Sequence, residues 1–159
     1  FDSKMKTSGS VMGRAKHLPT ALFKGYEGSD LMISTYGTVF ISVKDSEKHN
    51  AIKIAARFHQ LGFKLLATEG TANVLAEEGI TTGIIEKVQE GSNSLLEKIK
   101  QHRINLVINV TSLSDSASHD AIMIKDAALS THIPVFSSLQ SAQDVLIVLE
   151  TLAMTTQPL

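Results

Sequence analysis

Cysteine is absent from the chain, which excludes a disulfide framework and any thiolate zinc site. Long apolar runs are absent too. No stretch approaches the roughly 18 consecutive apolar residues of a membrane-spanning helix, so no membrane partner is expected. Nor is there a run of Lys or Arg that would act as a polybasic patch. Lys+Arg number 15 against 16 Asp+Glu, for a net charge of −1, so no global basic field draws nucleic acid. Any anion site must be local and built from a few residues. The six histidines (His17, His49, His59, His102, His119 and His132) show no metal-ligand spacing, and no metal site is expected. No secretory signal pattern is visible. With the missing cysteine, this leads to the expectation of a cytoplasmic protein. The chain opens on Phe1 rather than Met, so it is expected to be a piece of something longer.

What is present suits a globular domain. Hydrophobic residues make up 43% and charged residues 19% of the 159 positions. That length and composition sustain a single core. Residues 1–36 carry no strong periodicity and read as a linker or the edge of a preceding domain, with residues 19–24 as one or two helical turns. From Thr38 the pattern changes. Residues 38–43, 63–67, 82–86, 104–109 and 134–136 are apolar runs of strand length. Between and after them lie helical patterns. The first is capped by Asp45 or Ser46, carries Ile54, Phe58 and Leu61, and ends at Gly62. The others cover residues 71–78, 95–101, 118–130 and 141–154, with Gly79 closing the first of these. Continuous apolar strands alternating with amphipathic helices predict an α/β fold: a doubly wound, mostly five-stranded parallel sheet sandwiched by helices.

Ligands in such sheets bind outside the carboxyl ends of the strands. That rule selects residues 44–48, 68–71, 87–93, 109–118 and 137–140. Thr68-Glu69-Gly70-Thr71-Ala72 is the sharpest feature among them. A strand ends, a glycine turns the chain, a helix begins, and backbone N–H groups point outward where the helix dipole favours an anion. Two hydroxyls, Thr68 and Thr71, stand beside that helix start. The same residues also read as an ordinary strand–turn–helix in which Thr68 or Thr71 caps the helix. No Gly-Lys-Ser/Thr follows, so this is not a Walker A loop. Lys48 and Lys87 follow strands, and each by itself is a common solvated lysine. Together with the threonine loop they would focus positive potential on one crevice. Asn109 and Thr111 follow the fourth strand. His119-Asp120 reads as capping chemistry, with Ser118 or Asp120 at a helix start.

These residues carry a resemblance. Met5-Lys6-Thr7-Ser8-Gly9-Ser10-Val11-Met12-Gly13 resembles the segment that closes the second ATP-grasp unit of carbamoyl phosphate synthase large subunits, with Thr7-Ser8 inverted and Ser10 in place of the usual Glu. Lys48, Ala67-Thr68-Glu69-Gly70-Thr71-Ala72, Glu86-Lys87-Val88 with Glu90-Gly91, and Ile108-Asn109 are similar, in order and spacing, to the methylglyoxal-synthase-like C-terminal regulatory domain of that subunit. The resemblance implies that residues 1–36 are the tail of the ATP-grasp unit with a linker, and residues 37–159 the allosteric domain. It implies a parent ligase that works with a glutaminase small subunit, uses ATP and magnesium, and supplies pyrimidine and arginine synthesis. The domain itself would be non-catalytic and free of cofactors. It would bind a nucleotide effector such as UMP or IMP and take part in homo-oligomer contacts. By position, Lys48, Thr68, Thr71 and Lys87 would hold the effector phosphate, and Asn109 and Thr111 would lie near its ribose or base. Ser137 stands where relatives usually have Thr, near an amino-acid effector such as ornithine.

Two enzymes share the implied fold. A methylglyoxal synthase would need carboxylates around the phosphate for proton abstraction. Its Gly-Asp segment is here Gly91-Ser92-Asn93, and the second acid of its His-Asp-x-Asp pattern is here Ile122. The Lys-Thr-Leu-His-Pro segment of a purine-pathway cyclohydrolase is missing.

Overall fold

The computed structural model describes residues 5–7, 20–24, 30–88, 93–112 and 114–156. Three short strands come first: β1 (Met5–Thr7), β2 (Thr20–Lys24) and β3 (Asp30–Ser34), paired antiparallel in that order. The alternating unit follows: β4 (Thr38–Val43), α1 (Lys48–Gln60), β5 (Lys64–Ala67), α2 (Glu69–Glu77), β6 (Gly83–Ile84), α3 (Ser94–Lys100), β7 (Leu106–Val110), α4 (Asp115–Ser130), β8 (Val135–Phe136) and α5 (Leu139–Thr156). The strands β4 to β8 form a five-stranded sheet in the order β6-β5-β4-β7-β8, with every neighbouring pair parallel. This is the doubly wound architecture that the strand and helix patterns imply. The chain winds outward from β4 through β5 to β6, then returns to the other side of β4 for β7 and β8. The direction of winding therefore changes between β4 and β7.

Strand periodicity sorts the core into two layers. Val39, Ile41 and Val43 of β4, with Leu106, Ile108 and Val110 of β7, pack against α1 and α5 through Ile54, Phe58, Val145, Leu146 and Leu149. Phe58 meets the Phe63 ring edge-on, with centroids 5.4 Å apart. Phe40 and Val107 point the other way, onto Leu95 and Ile99 of α3 and Ile124 and Ala128 of α4. Gly62 and Gly79 follow α1 and α2 at φ +97° and +80°, the left-handed conformation that lets a helix end in a tight turn.

Three local expectations are corrected. Residues 20–24 form a strand, not helical turns. Ala21 and Phe23 are buried on alternate positions, and Phe23 and Ile33 join the core beside α5. A five-residue segment makes too few internal hydrogen bonds to hold a helix, whereas pairing with β3 satisfies its backbone. The rest of residues 1–19 beyond β1 lies outside the described residues. The start of α1 has no side-chain cap: a 3₁₀ turn over Asp45–Glu47 precedes it, and the Asp45 carboxylate engages Lys48 instead. Helix α4 begins earlier than residue 118, and its cap is Ser114, whose hydroxyl accepts from the Ala117 N–H at 3.2 Å.

Candidate functional site

The carboxyl edge of the sheet opens at the point where the winding reverses. On the α3/α4 face of β4 and β7 the side chains run from apolar to polar toward the carboxyl edge. Phe40 is followed two residues later by Ser42, and Val107 by Asn109, and the parallel register sets Ser42 directly beside Asn109. A side chain two positions further along a strand stays on the same face. The α3/α4 face therefore ends in a pair of polar groups just where the ladder runs out. Above them lies a cavity of about 320 Å³.

Five of the residues singled out from the sequence line this cavity: Lys48, Thr68, Lys87, Asn109 and Thr111. They come from four strand ends, with Asn109 and Thr111 both from the end of β7, so only the winding of the sheet brings them together. Thr71 does not line it. It is fully buried in α2, and its hydroxyl accepts from the Val43 N–H at 3.2 Å, tying the helix to the end of β4. Ser137 lies exposed after β8 at the same sheet edge and does not line the cavity. Glu90 and Gly91 fall outside the described residues.

Helix α2 presents its N-terminus without a side-chain cap. Helical geometry leaves the N–H groups of Glu69, Gly70 and Thr71 without an intrahelical acceptor. Thr68, at the capping position, does not supply one. Its hydroxyl donates to the Ser42 hydroxyl at 3.1 Å. The result is an electropositive helix start flanked by the Lys48 stem. A Cβ on Gly70 would stand 3.1 Å from Lys48 Cε and 3.6 Å from Nζ, so the missing side chain is what lets this lysine lie across the first turn of α2.

The Lys48 ammonium donates to the Val43 carbonyl and to Asp45 Oδ1, both at 2.8 Å. It is only 18% exposed, while the Asp45 carboxylate is in open solvent. The hydrogen bond from Lys48 and then its charge hold the Asp45 carboxyl below the usual carboxylate range, with a smaller contribution from the charge of Lys87. Lys87 is therefore electrostatically within reach of the same corner. An anion arriving at α2 competes with Asp45 for a lysine already held in place by a backbone carbonyl.

Ser42 and Asp120, the latter expected only as a helix cap, line the cavity from outside the segments that the strand-end rule selected, and Asp45, Ser112 and Ser114 line it from within those segments without having been singled out as ligand-binding. The legible signal for Ser42 was a hydroxyl interrupting the apolar run of β4 at its carboxyl end. His119 is exposed and does not line the cavity, nor do Asn93 and Ile122. Among the described residues no group of three His, Asp or Glu side chains is placed to hold a metal ion. No helix among them is long and apolar enough to cross a membrane.

Comparison with known proteins agrees with this architecture. The structure is similar to that of a methylglyoxal synthase from Elizabethkingia anophelis NUHP1, with a TM-score of 0.59 and 18% identity over 72% of this chain and 79% of that one. It is also similar to the structure of ForH, with a TM-score of 0.58 and 21% identity over 77% of this chain and 85% of that one. At such identities the likeness is one of fold. The family model of the MGS-like domain matches residues 50–137, more than half of the sequence and all of the sheet from β5 to β8, and the chain belongs to the MGS-like domain family.

Proposed function

We propose that this chain is the regulatory domain of a carbamoyl phosphate synthase large subunit and binds a phosphorylated nucleotide such as UMP or IMP. The observation that carries the reading is the convergence of Lys48, Thr68, Lys87, Asn109 and Thr111 on one cavity beside the uncapped start of α2. A phosphate monoester seats against the N–H groups of α2, where the helix dipole and directed donors favour a dianion. Lys48 and Lys87 supply charge. Thr68 turns its donor from Ser42 to a phosphate oxygen. Thr71 keeps its own hydroxyl proton while accepting from Val43, so it fixes the helix start and retains a donor. Asn109 and Thr111 meet the sugar or base with amide and hydroxyl groups. Ser137, further along the same edge, belongs to an amino-acid effector region.

In this reading residues 1–36 are the tail of an ATP-grasp unit and residues 37–159 the effector domain. The cytoplasmic parent enzyme, with its glutaminase subunit, makes carbamoyl phosphate for pyrimidine and arginine synthesis. Its ATP and magnesium belong to the ATP-grasp units. The domain carries no catalysis and contributes to homo-oligomer contacts. Calorimetric titration with UMP and IMP tests the site. A charge-assisted hydrogen bond is worth roughly 1.5–3 kcal/mol, so Lys87→Ala weakens binding on the order of tenfold to a hundredfold. Equal affinity in the variant and the parent chain would remove Lys87 from the site.

A second reading is a free-standing methylglyoxal synthase. What favours it is that two carboxylates, Asp45 and Asp120, line the cavity, and proton abstraction needs such a base. Against it stand Asn93 and Ile122, in place of acids. Enzyme-dependent methylglyoxal formation from dihydroxyacetone phosphate, abolished by Asp120→Asn, would establish this reading over the regulatory one.

A further inference from the structure

The opposite, amino-terminal edge of the sheet carries a second concavity. It is a groove of about 920 Å³, bounded by the starts of β4 and β5, the turn before β6, and the α3 end. A six-residue strand separates it from the first cavity, so the two lie about 20 Å apart. Lys64, Lys98, Arg103 and His59 line it, and among the described residues no acidic side chain does. In a chain whose formal charge is −1, gathering three cations without an acid is a local departure from neutrality. The ion pairs of Lys48 with Asp45 and of Arg57 with Glu150 involve none of them.

A second observation points to a ligand. Thr82 lines the groove, and its hydroxyl oxygen is enclosed with no hydrogen-bond partner among the described residues. Buried polar groups are seldom left in this state. Rotation about χ1 moves a threonine hydroxyl between staggered wells, so the orientation of this one is open to change when a partner arrives. Beside it Leu66 lies flat over β6, because Gly83 has no side chain: a Cβ there would sit 2.6 Å from Leu66 Cδ2. The floor is therefore apolar and the rim cationic.

We propose that this groove is a second ligand site, for a small organic anion whose phosphate or carboxylate groups are gripped by Lys64, Lys98 and Arg103. Thr82 supplies a directed hydroxyl, and the body of the ligand rests on Leu66. The planar guanidinium of Arg103 pairs with two oxygens of either group, and the ammonium groups add point charge. The site is independent of the carboxyl-edge cavity and shares no residue with it.

The test is amide chemical-shift mapping of the full chain, titrated with sodium pyrophosphate, with citrate, and with sodium chloride at matched ionic strength. The amides of Lys64, Thr82, Gly83 and Arg103 report the groove, and those of Thr68, Gly70 and Thr111 report the carboxyl edge. The expected result is a saturable shift of the groove amides that sodium chloride does not reproduce. Lys98→Ala combined with Arg103→Ala raises its Kd at least about tenfold, while Lys87→Ala leaves it unchanged. Thr82→Val weakens it severalfold yet raises the melting temperature of the ligand-free chain. The anion that saturates at lower concentration identifies phosphate or carboxylate as the preferred group. Groove amides that do not move at millimolar anion, that move equally with sodium chloride, or that keep their Kd in the double variant overturn the proposal.

Discussion

Gly70→Ala separates stability from binding at the carboxyl edge. Gly70 is the second residue of α2, and the structure assigns it no positive φ. Alanine is therefore compatible with the backbone, and replacing a helical glycine stabilises by roughly 0.5–1 kcal/mol. For a chain of this size, a melting temperature higher by about 1–4 °C follows. The new methyl would stand 3.1 Å from Lys48 Cε. The lysine is the flexible partner and gives way by a few tenths of an ångström, away from α2. Its ammonium remains on the Val43 carbonyl and Asp45 but loses its place over the helix start. The methyl also covers the N–H groups that an anion would approach. Loss of one charge-assisted hydrogen bond, roughly 1.5–3 kcal/mol, lowers nucleotide affinity about tenfold to a hundredfold. Thermal denaturation and calorimetric titration of the same preparation measure both. A more stable variant with undiminished affinity would refute the reasoning, because the clearance at Gly70 would then serve packing alone.

The remaining predictions concern neighbouring contacts. Thr68→Val keeps the shape of the helix start and removes one donor, so its effect on nucleotide affinity is smaller than that of Lys87→Ala, by the same titration. Thr71→Val leaves the buried Val43 N–H without its acceptor, and chemical denaturation should show a loss of about 1–3 kcal/mol. The Arg57 guanidinium grips Glu150 through two bonds of 2.9 and 2.7 Å, joining α1 to α5, and its hydrogen bond holds the Glu150 carboxyl below its ordinary value of 4.5. A depressed folded-state value contributes stability above the unfolded one, and that stability is lost as pH falls through the folded one. Both groups are about one-third exposed, so solvent screening holds the contribution below about 1 kcal/mol. Urea denaturation of Glu150→Gln should show that small deficit at neutral pH, and none once acid has protonated Glu150 in the parent chain.

Much of the α/β unit was legible in the sequence because its signals are local. Thr38–Val43 reads as a buried strand from its β-branched run, and α1 from Ile54 and Phe58 at helical spacing. Gly62 and Gly79 mark helix ends through a conformation that few other residues adopt. The rule that ligands sit at strand carboxyl ends then selected Lys48, Thr68, Lys87, Asn109 and Thr111 before any of them had a place in space. What a linear pattern cannot carry is direction and partnership. Residues 20–24 became a strand because β3 pairs with them and α5 covers them, the second a contact made far along the chain. Thr68 and Thr71 look alike in sequence, yet one lines the cavity and the other is turned inward to the Val43 N–H, since Thr68 keeps the extended backbone of the strand end while Thr71 already lies within the helix. Ser42 gained its meaning only from the register that sets it beside Asn109. The groove at the amino edge had no sequence signature at all. Lys64, Thr82, Lys98 and Arg103 come from separate connections, and parallel pairing of β4, β5 and β6 together with the packing of α3 gathers them.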